Sequence, residues 1–272
     1  MARTISLVSG KGGVGKTSLT ANIGIALSQA GFKVLLIDAD VAMANLSLIL
    51  GMQSSPITLH DVLLGESNIQ DAIYDGPSGV FFVPSGLSLE TYRRVDSERL
   101  ETVVNSIQDL YDFILIDAPA GIEKNVMAAI AAAKEAVIVT TPDSPSIADA
   151  LKTKLVAQRL GSNPIGVIIN FFRNEKGEIK AHDITRLLEL PVFGIVPFDA
   201  EVRRSFMQES VSPLLLRKPD SPASLAIAKI AGKISGRQVS LSKSEKQGFF
   251  SRFFSRFGKP KKAEEVKKTI QK

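Results

Sequence analysis

The sequence of 272 residues contains no cysteine. Disulfide bonds, thiolate zinc sites and cysteine-held iron–sulfur clusters are therefore excluded. It also has no uninterrupted apolar run of about 18 residues, the length that a membrane-spanning helix needs. The first apolar run, Ile5–Val8, is short and is soon followed by glycines, unlike the core of a secretory signal peptide. We therefore expect a cytoplasmic protein without membrane-spanning segments.

The positive charge of the chain is concentrated at its C-terminal end. Residues 243–272 contain ten basic and three acidic residues, a net charge of +7. The other 242 residues, with 23 basic and 25 acidic residues, carry a net charge of −2. The formal charge of +5 for the whole chain thus belongs to the tail. A broad basic face on the globular part, as expected of a nucleic-acid-binding domain, is not indicated.

Short, continuous apolar runs recur along the chain, and stretches with helical periodicity lie between most of them. This alternation is typical of a parallel sheet that is covered on both faces. The predicted strands are Ile5–Val8, Val34–Ile37, Val80–Val83, Phe113–Ile116, Ala136–Val139, Ile165–Ile169 and Val192–Val196. The predicted helices are Ser18–Ala30, Ser97–Leu110, Val126–Ala133, Ile147–Leu160 and Ile184–Leu188. We expect an α/β fold of three layers with a mainly parallel, twisted sheet, in which ligands bind at the carboxyl ends of the strands.

A complete P-loop motif follows the first predicted strand and leads into the first predicted helix. Its glycines let backbone N–H groups surround phosphate oxygens, and the helix N-terminus adds the positive end of its dipole. In such a loop Lys16 reaches the β- and γ-phosphates, and the Thr17 hydroxyl binds Mg²⁺. A Gly-rich turn that matches by chance would not be expected to fit at all eight positions and on both flanks. The predicted nucleotide contacts in this region are Gly10, Lys11, Gly12, Gly13, Val14, Gly15, Lys16, Thr17 and Ser18.

Aspartates follow two further predicted strands. Asp38 and Asp40 come at the end of the second, and Asp117 at the end of the fourth. An apolar strand ending in aspartate is the Walker B form, whose acid holds Mg²⁺ directly or through water. Two acids separated by one residue suit metal and water positioning, and turn or helix-capping chemistry is the alternative for that pair. Gly121, which has no side chain, is able to approach a γ-phosphate closely.

These motifs together resemble the MinD/ParA family of ATPases with a deviant Walker A sequence. The family's Lys-Gly-Gly-Val-Gly-Lys-Thr string is present at residues 11–17. Its switch I, Asp-x-Asp, and its switch II, Asp-x-Pro-x-Gly, follow in the same order as in the family. The resemblance covers nearly all of residues 2–236 and implies a P-loop ATPase fold, ATP hydrolysis with Mg²⁺ and an ATP-dependent homodimer. The switch residues are Asp38, Asp40, Asp117, Pro119 and Gly121.

The resemblance also implies a role for each polar residue of the site. Lys11 reaches across the dimer to the partner's nucleotide, although the residue alone would also suit a plain surface lysine. Asp40 orients the attacking water, while Asp38 and Asp117 lie in the outer shell of the metal. The catalytic residues implied are Lys11, Lys16 and Asp40, and the metal-site residues are Thr17, Asp38, Asp40 and Asp117.

The family places the adenine base beside two further strand ends. The resemblance implies that the Asn170 amide reads the adenine edge, with a strand-end turn as the alternative role for this residue. Pro197 and Asp199 lie in the loop that flanks the base on its other side. Phe198 occupies a position where many relatives have an acid, and this difference concerns the surroundings of the base.

The C-terminal tail contains a segment with an aromatic and a basic face. Five of the fourteen phenylalanines lie within residues 249–257, at spacings that place them on one side of a helix. A helix of this kind lies in a membrane interface. The alternative is a terminal helix whose aromatic face docks onto the domain or a partner. The predicted membrane contacts are Phe249, Phe250, Arg252, Phe253, Phe254, Arg256 and Phe257.

One copy of this segment is expected to bind an anionic membrane weakly, because ordering a short helix offsets most of the gain from burial. Two copies in a dimer would gain about 10²- to 10⁴-fold through their effective concentration. If ATP creates the dimer, ATP controls attachment to the inner face of the cell membrane, and hydrolysis releases the protein. The family resemblance implies the same behaviour.

The sequence thus predicts four regions: an ATPase domain at 1–236, a polar linker at 237–248, a basic amphipathic membrane segment at 249–262 and a charged tail at 263–272. The favoured function is a membrane-associating ATPase that positions cell-division or other envelope machinery, with a possible MinC-like or MinE-like regulator. An FlhG-type flagellar or polar positioning ATPase and a ParA-type DNA-segregation ATPase are the alternatives. The latter would need a basic dimer surface with salt-sensitive affinity for duplex DNA.

Overall fold

Parallel strands form the centre of the molecule, as the apolar runs predict. The computed structural model describes residues 1–40, 44–52, 55–86, 99–205 and 211–239. Its eight-stranded sheet has the order β3-β4-β2-β5-β1-β6-β7-β8, and only the pairing of β3 with β4 is antiparallel. The strands are β1 Arg3–Ser9, β2 Val34–Asp38, β3 Tyr74–Asp75, β4 Phe81–Val83, β5 Phe113–Ala120, β6 Glu135–Thr140, β7 Asn163–Phe172 and β8 Val192–Pro197.

Helices cover both faces of this sheet. Those in the described residues are α1 Lys16–Gln29, α2 Leu46–Ile49, α3 Leu59–Leu64, α4 Arg99–Ile107, α5 Lys124–Ala131, α6 Ser144–Arg159, α7 Ala181–Leu188, α8 Ala200–Ser205, α9 Leu214–Arg217 and α10 Pro222–Ser235. Single 3-10 turns occur at Ile69–Ala72, Pro77–Gly79 and Gln108–Leu110. None of the helices in the described part of the chain has the length and apolarity to cross a membrane.

Two hydrophobic layers hold the helices to the sheet. Buried residues of α1, α2, α9 and α10 pack on one face, and those of α3, α4, α5, α6 and α7 pack on the other. Strands β1, β2 and β5 lie between the layers and are buried along almost their whole length, which explains their continuous apolar sequences. The predicted three-layer α/β fold with a mainly parallel sheet is confirmed.

Helix α10 is not among the predicted helices. Four alanines and a glycine dilute its apolar periodicity. Its ends nevertheless carry signals that sequence reasoning could have used. Ser221 caps the N-terminus through its side chain, Pro222 occupies the first turn, and Gly236 adopts the left-handed conformation after the last turn.

Three of the predicted regions extend beyond the described residues. The polar linker is described only as far as Val239. The membrane segment, with all of its phenylalanines and arginines, and the charged tail lie outside the described residues.

The central strand β5 supplies a direct test of the packing. Leu115 is fully buried between β1 and β2, whereas Leu155 on α6 is 48% exposed. We expect Leu115→Ala to lower the free energy of unfolding by about 2–5 kcal/mol, since it removes buried methyl groups and leaves a cavity. The matched change Leu155→Ala should lower it by less than about 0.5 kcal/mol. Chemical denaturation of both variants measures the difference, and equal losses would contradict the layer assignment.

Candidate functional site

The P-loop connects β1 to α1 at the carboxyl edge of the sheet. Gly15, the residue before the helix, has a φ of 87°, and a Cβ atom there would lie 2.3 Å from the Asn170 amide nitrogen. A Cβ atom on Gly10 would lie 2.7 Å from the backbone oxygen of Asp149. Side chains at these two positions would therefore force the loop away from its neighbours. Because both residues are glycines, the loop packs closely on Asp149 and Asn170, and its backbone N–H groups are able to face a ligand.

Lys16 lies at the start of α1 and reaches inward to switch II. Its ammonium is 3.4 Å from Asp117 Oδ1 and also donates to the Ala118 carbonyl. The Thr20 hydroxyl, one turn further along α1, donates to the same Asp117 oxygen at 3.1 Å. The P-loop lysine and the Walker B aspartate are thus an ion pair in which both side chains are more than 90% buried.

Two of the three switch aspartates lie side by side. Asp38 and Asp117 are partners in the register of β2 with β5, and both are buried. Burial raises the pKa of Asp38 well above its usual range, and the charge of Asp117 raises it further. Burial also raises the pKa of Asp117, although Lys16 and the threonine hydroxyls oppose that effect. Asp38 and Asp117 together carry more negative charge than the Lys16 ammonium balances. The site therefore favours a bound cation or a proton on one of the carboxylates.

One carboxylate oxygen of Asp117 is available to a ligand. Among the described residues, Asp117 Oδ2 is buried and has no hydrogen-bond partner. The described residues also contain no group of three or more His, Cys, Asp or Glu that would hold a metal by themselves. A hard cation with water ligands fits this arrangement if phosphate oxygens complete its coordination, as is usual for Mg²⁺. Thr17 and Asp117 are the residues placed to take part.

Switch I is arranged around the carboxylate of Asp38. Asp38 Oδ1 accepts the backbone N–H of Asp40, and Oδ2 accepts that of Leu46, each at 3.1 Å. Asp38 thus fixes the backbone on both sides of residues 41–43. The side chain of Asp40 is half-buried. These contacts suit a positioning role for Asp38.

The P-loop also contacts the end of β7. The Asn170 amide donates to the backbone carbonyl of Val14 at 2.8 Å, and the residue is 5% exposed. Phe171 follows with a φ of 57°, which is strained for a bulky side chain and tends to occur at functional sites. Asn170 therefore holds the loop, and the proposed reading of adenine by its amide stays a prediction. Neither the loop contact nor the strained Phe171 is visible as a sequence pattern.

An aromatic–cation pair lies next to this site. The guanidinium of Arg173 is 3.6 Å from the centre of the Phe198 ring, and the backbone N–H of Phe198 donates to the Phe172 carbonyl at 2.8 Å. Asp199 accepts the backbone N–H of Glu201 at 2.9 Å. The structure thus brings Asn170 and the Pro197–Asp199 loop together at the ends of β7 and β8, where the base is expected.

Lys11 is exposed and lies close enough to the start of α6 for its charge to act on Asp143. Burial acts to raise the pKa of Asp143, but hydrogen bonds from Thr141 and Ser146, helped by the charge of Lys11, lower it below its usual value. Asp143 caps α6 through a bond from the Ser146 backbone. Asp143 was not among the predicted site residues, because its local pattern is that of a helix cap.

Comparison with known proteins agrees with this geometry. The family model described as "CobQ/CobB/MinD/ParA nucleotide binding domain" matches residues 5–212. The chain belongs to this MinD/ParA family of P-loop ATPases. An uncharacterized ATP-binding protein of Methanocaldococcus jannaschii is 46% identical over 93% of the chain and 96% of its own length. The septum site-determining protein MinD of Synechocystis is 35% identical over 88% of the chain and 91% of its own length.

Solved structures give the same result. The cell division ATPase MinD of Pyrococcus furiosus has a TM-score of 0.83 and 38% identity, with 87% of this chain and 99% of that chain covered. The septum site-determining protein MinD of Pyrococcus horikoshii, solved with Mg-ADP, has a TM-score of 0.82 and 37% identity, with 86% and 96% covered. The predicted family and the predicted ATP hydrolase activity are confirmed, and the family's P-loop lies where Lys16 meets Asp117.

The raised pKa values give a prediction for nucleotide-free and metal-free protein. Above about pH 4, where an unfolded aspartate loses its proton, the folded state still holds protons on the Asp38–Asp117 pair. Because the folded state then binds more protons than the unfolded state, this pair makes stability fall as pH rises. We expect Asp38→Asn to flatten that fall above about pH 4 in chemical denaturation with EDTA present.

The matched control for this experiment is Asp71→Asn, since Asp71 is an exposed carboxylate in a 3-10 turn. It should retain the wild-type slope of unfolding free energy against pH. An Asp38→Asn slope that equals the wild-type slope would show that the buried pair does not hold the protons.

Proposed function

We propose that this protein is a MinD-type ATPase that binds Mg-ATP, dimerises, attaches to an anionic membrane through its C-terminal segment and leaves the membrane after hydrolysis. In this role it would position cell-division or other envelope machinery. The observation that carries the catalytic part is the buried contact of Lys16 with Asp117, next to Asp38, at the end of the P-loop. The membrane part is supported by the Phe-rich basic sequence at residues 249–262.

Binding of the ATP phosphates would require Lys16 to change its hydrogen-bond partner. When ATP binds, Lys16 is expected to exchange the Ala118 carbonyl for the β- and γ-phosphates, since an ammonium pairs more strongly with phosphate than with a neutral carbonyl. Thr17 and Asp117 would hold Mg²⁺, the latter through water on its free oxygen. The metal supplies positive charge that neutralises the phosphate oxygens during transfer. The Thr20 bond keeps Asp117 oriented throughout.

We assign the alignment of the attacking water to Asp40. Its backbone is anchored to Asp38, and its side chain is half-buried. Hydrolysis of a γ-phosphate depends on positioning and on charge stabilisation more than on covalent catalysis. An aspartate whose backbone is fixed in this way is suited to hold a water in line with the phosphate.

Dimerisation is supported by the position of Lys11. This lysine is exposed at the mouth of the P-loop, so a partner could approach it without rearrangement of the core. A complex of MinC with MinD from Aquifex aeolicus has been solved, and that MinD has a TM-score of 0.78 and 33% identity to this chain. We infer that the dimer of this protein is nucleotide-dependent and offers a surface to a MinC-like regulator.

The role of Asp40 is tested by separating binding from turnover. Asp40→Ala should keep its affinity for ATP within about threefold but lower the hydrolysis rate by about 10²-fold or more, since it removes the residue that positions water. Asp71→Ala, the same change at an exposed remote site, should leave both unchanged. Fluorescent-nucleotide titration and single-turnover phosphate release measure the two quantities. Normal turnover by Asp40→Ala would overturn the assignment.

Membrane attachment is tested by vesicle sedimentation in ATP and in ADP. Wild-type protein should bind vesicles containing phosphatidylserine more tightly in ATP. Phe250→Gln/Phe254→Gln should weaken that binding by about 10²-fold or more, because each buried phenylalanine is worth about 1.5–3 kcal/mol. Ser251→Gln/Ser255→Gln alters the opposite face without changing charge and should bind like wild type. No sedimentation in either nucleotide would refute the membrane role and make duplex DNA the next ligand to test.

A further inference from the structure

The chain leaves its folded domain at the edge of the sheet opposite the P-loop. Helix α10 ends at Ser235, and the backbone carbonyl of Ile234 accepts a hydrogen bond from Arg3 at the start of β1. Residues after Gly236 turn back beside the helix, so that a Cβ atom on Gly232 would lie 3.0 Å from the Arg237 carbonyl oxygen. The start of β1 belongs to the amino edge, and the tail therefore begins there.

Three cations lie near the point of departure. The Arg237 guanidinium lies 4.8 Å from the centre of the Phe32 ring, just before β2. The Lys233 ammonium is 3.3 Å from the Val192 carbonyl at the start of β8. One turn earlier on the exposed side of α10 lies Lys229. We call this group the basic corner, and its members are Lys229, Lys233 and Arg237.

The charges of the basic corner are not neutralised by ion pairs. Within the described ranges, no carboxylate forms an ion pair with any of its three members. Glu135, at the start of β6, already pairs with Arg3 at 2.6 Å. The exposed Arg237 side chain lies against the Phe32 ring, which holds its charged group at the surface.

The sequence places this corner close to the predicted membrane segment. Phe249 follows Arg237 by twelve residues. Twelve residues span at most about 40 Å when extended and about 20 Å on average as a flexible chain. A linker of this length lets the basic corner reach the surface of a bilayer in which the phenylalanines are inserted. Its charges would act on the headgroups at close range, because the Debye length is about 8 Å at physiological ionic strength.

We propose that the basic corner is a second membrane-contacting surface, which binds anionic phospholipid headgroups while the Phe-rich segment inserts. This inference rests on the membrane attachment proposed above. One short anchor gives marginal and reversible binding, and a basic patch supplies the second signal that stable attachment requires. The basic corner would also fix the orientation of the domain, with the P-loop edge directed away from the membrane and accessible to nucleotide and to regulators.

The experiment compares two triple variants of the full chain that lose the same charge. Lys229→Gln/Lys233→Gln/Arg237→Gln removes the three cations of the corner. Lys152→Gln/Lys176→Gln/Lys180→Gln removes three exposed lysines from α6 and from the chain between β7 and α7. Each is titrated with ATP present against vesicles of phosphatidylcholine alone and against vesicles with 30% phosphatidylserine. Hydrolysis without vesicles and the melting temperature check that each variant is folded and active.

Each basic residue near an anionic surface is worth about fivefold in binding. The corner variant should therefore bind phosphatidylserine vesicles about 10- to 100-fold more weakly than wild type, and the control variant should lose less than about threefold. On phosphatidylcholine alone, wild type and the corner variant should not differ. If the two triple variants lose affinity equally, the inference about the corner is wrong.

Two further outcomes distinguish this inference from the proposed function. Wild-type binding that depends on Phe250 and Phe254 but not on the corner leaves the membrane role intact and overturns only the corner. A wild-type protein that binds neither kind of vesicle overturns both. If the corner variant loses affinity for duplex DNA while its vesicle affinity is unchanged, the surface serves nucleic acid and the inference is again wrong.

Discussion

Two carboxylates, Asp38 and Asp117, occupy paired positions on adjacent parallel strands and are almost completely buried. In the part of the chain that the structure describes, the Lys16 ammonium is the one cation in an ion pair with them. An isolated buried charge is costly, so such an arrangement persists only where hydrogen bonds and counter-charges support it. Here Thr20 supports Asp117, and the backbone N–H groups of Asp40 and Leu46 support Asp38. The remaining deficit of positive charge is what a bound cation such as Mg²⁺ would supply.

The fold of the domain keeps Asp38 on β2 next to Asp117 on β5. Strands β1, β2 and β5 must be buried on both faces so that their ends present the P-loop and both switches at one edge. The P-loop is supported by Asp149 of α6 beside Gly10 and by Asn170 of β7 beside Gly15. These supports come from parts of the chain that are distant from the loop in sequence. Helix α10 ends at the opposite edge of the sheet.

The elements that could be predicted from the sequence are those with local signatures. Buried strands appear as apolar runs, the P-loop as a spacing of glycines and lysines, and Asp38 and Asp117 as acids at strand ends. Contacts between distant residues could not be predicted in this way. The bond from Asn170 to Val14 joins residues 156 positions apart, and the positive φ of Phe171 is imposed by its surroundings and not by its own preference. The two-residue strand β3 and the alanine-rich α10 lack the periodicity that marks longer elements.

The central claim is that Lys16 is held by switch II until a nucleotide arrives and then exchanges partners. A crystal structure of the protein with Mg²⁺ and a non-hydrolysable ATP analogue tests it most directly. The account predicts that the Lys16 ammonium leaves the Ala118 carbonyl for the β- and γ-phosphates, while Asp117 keeps its Thr20 bond and turns its free oxygen toward the metal's water shell. A structure in which the phosphates bind elsewhere and Lys16 remains on Ala118 would contradict it.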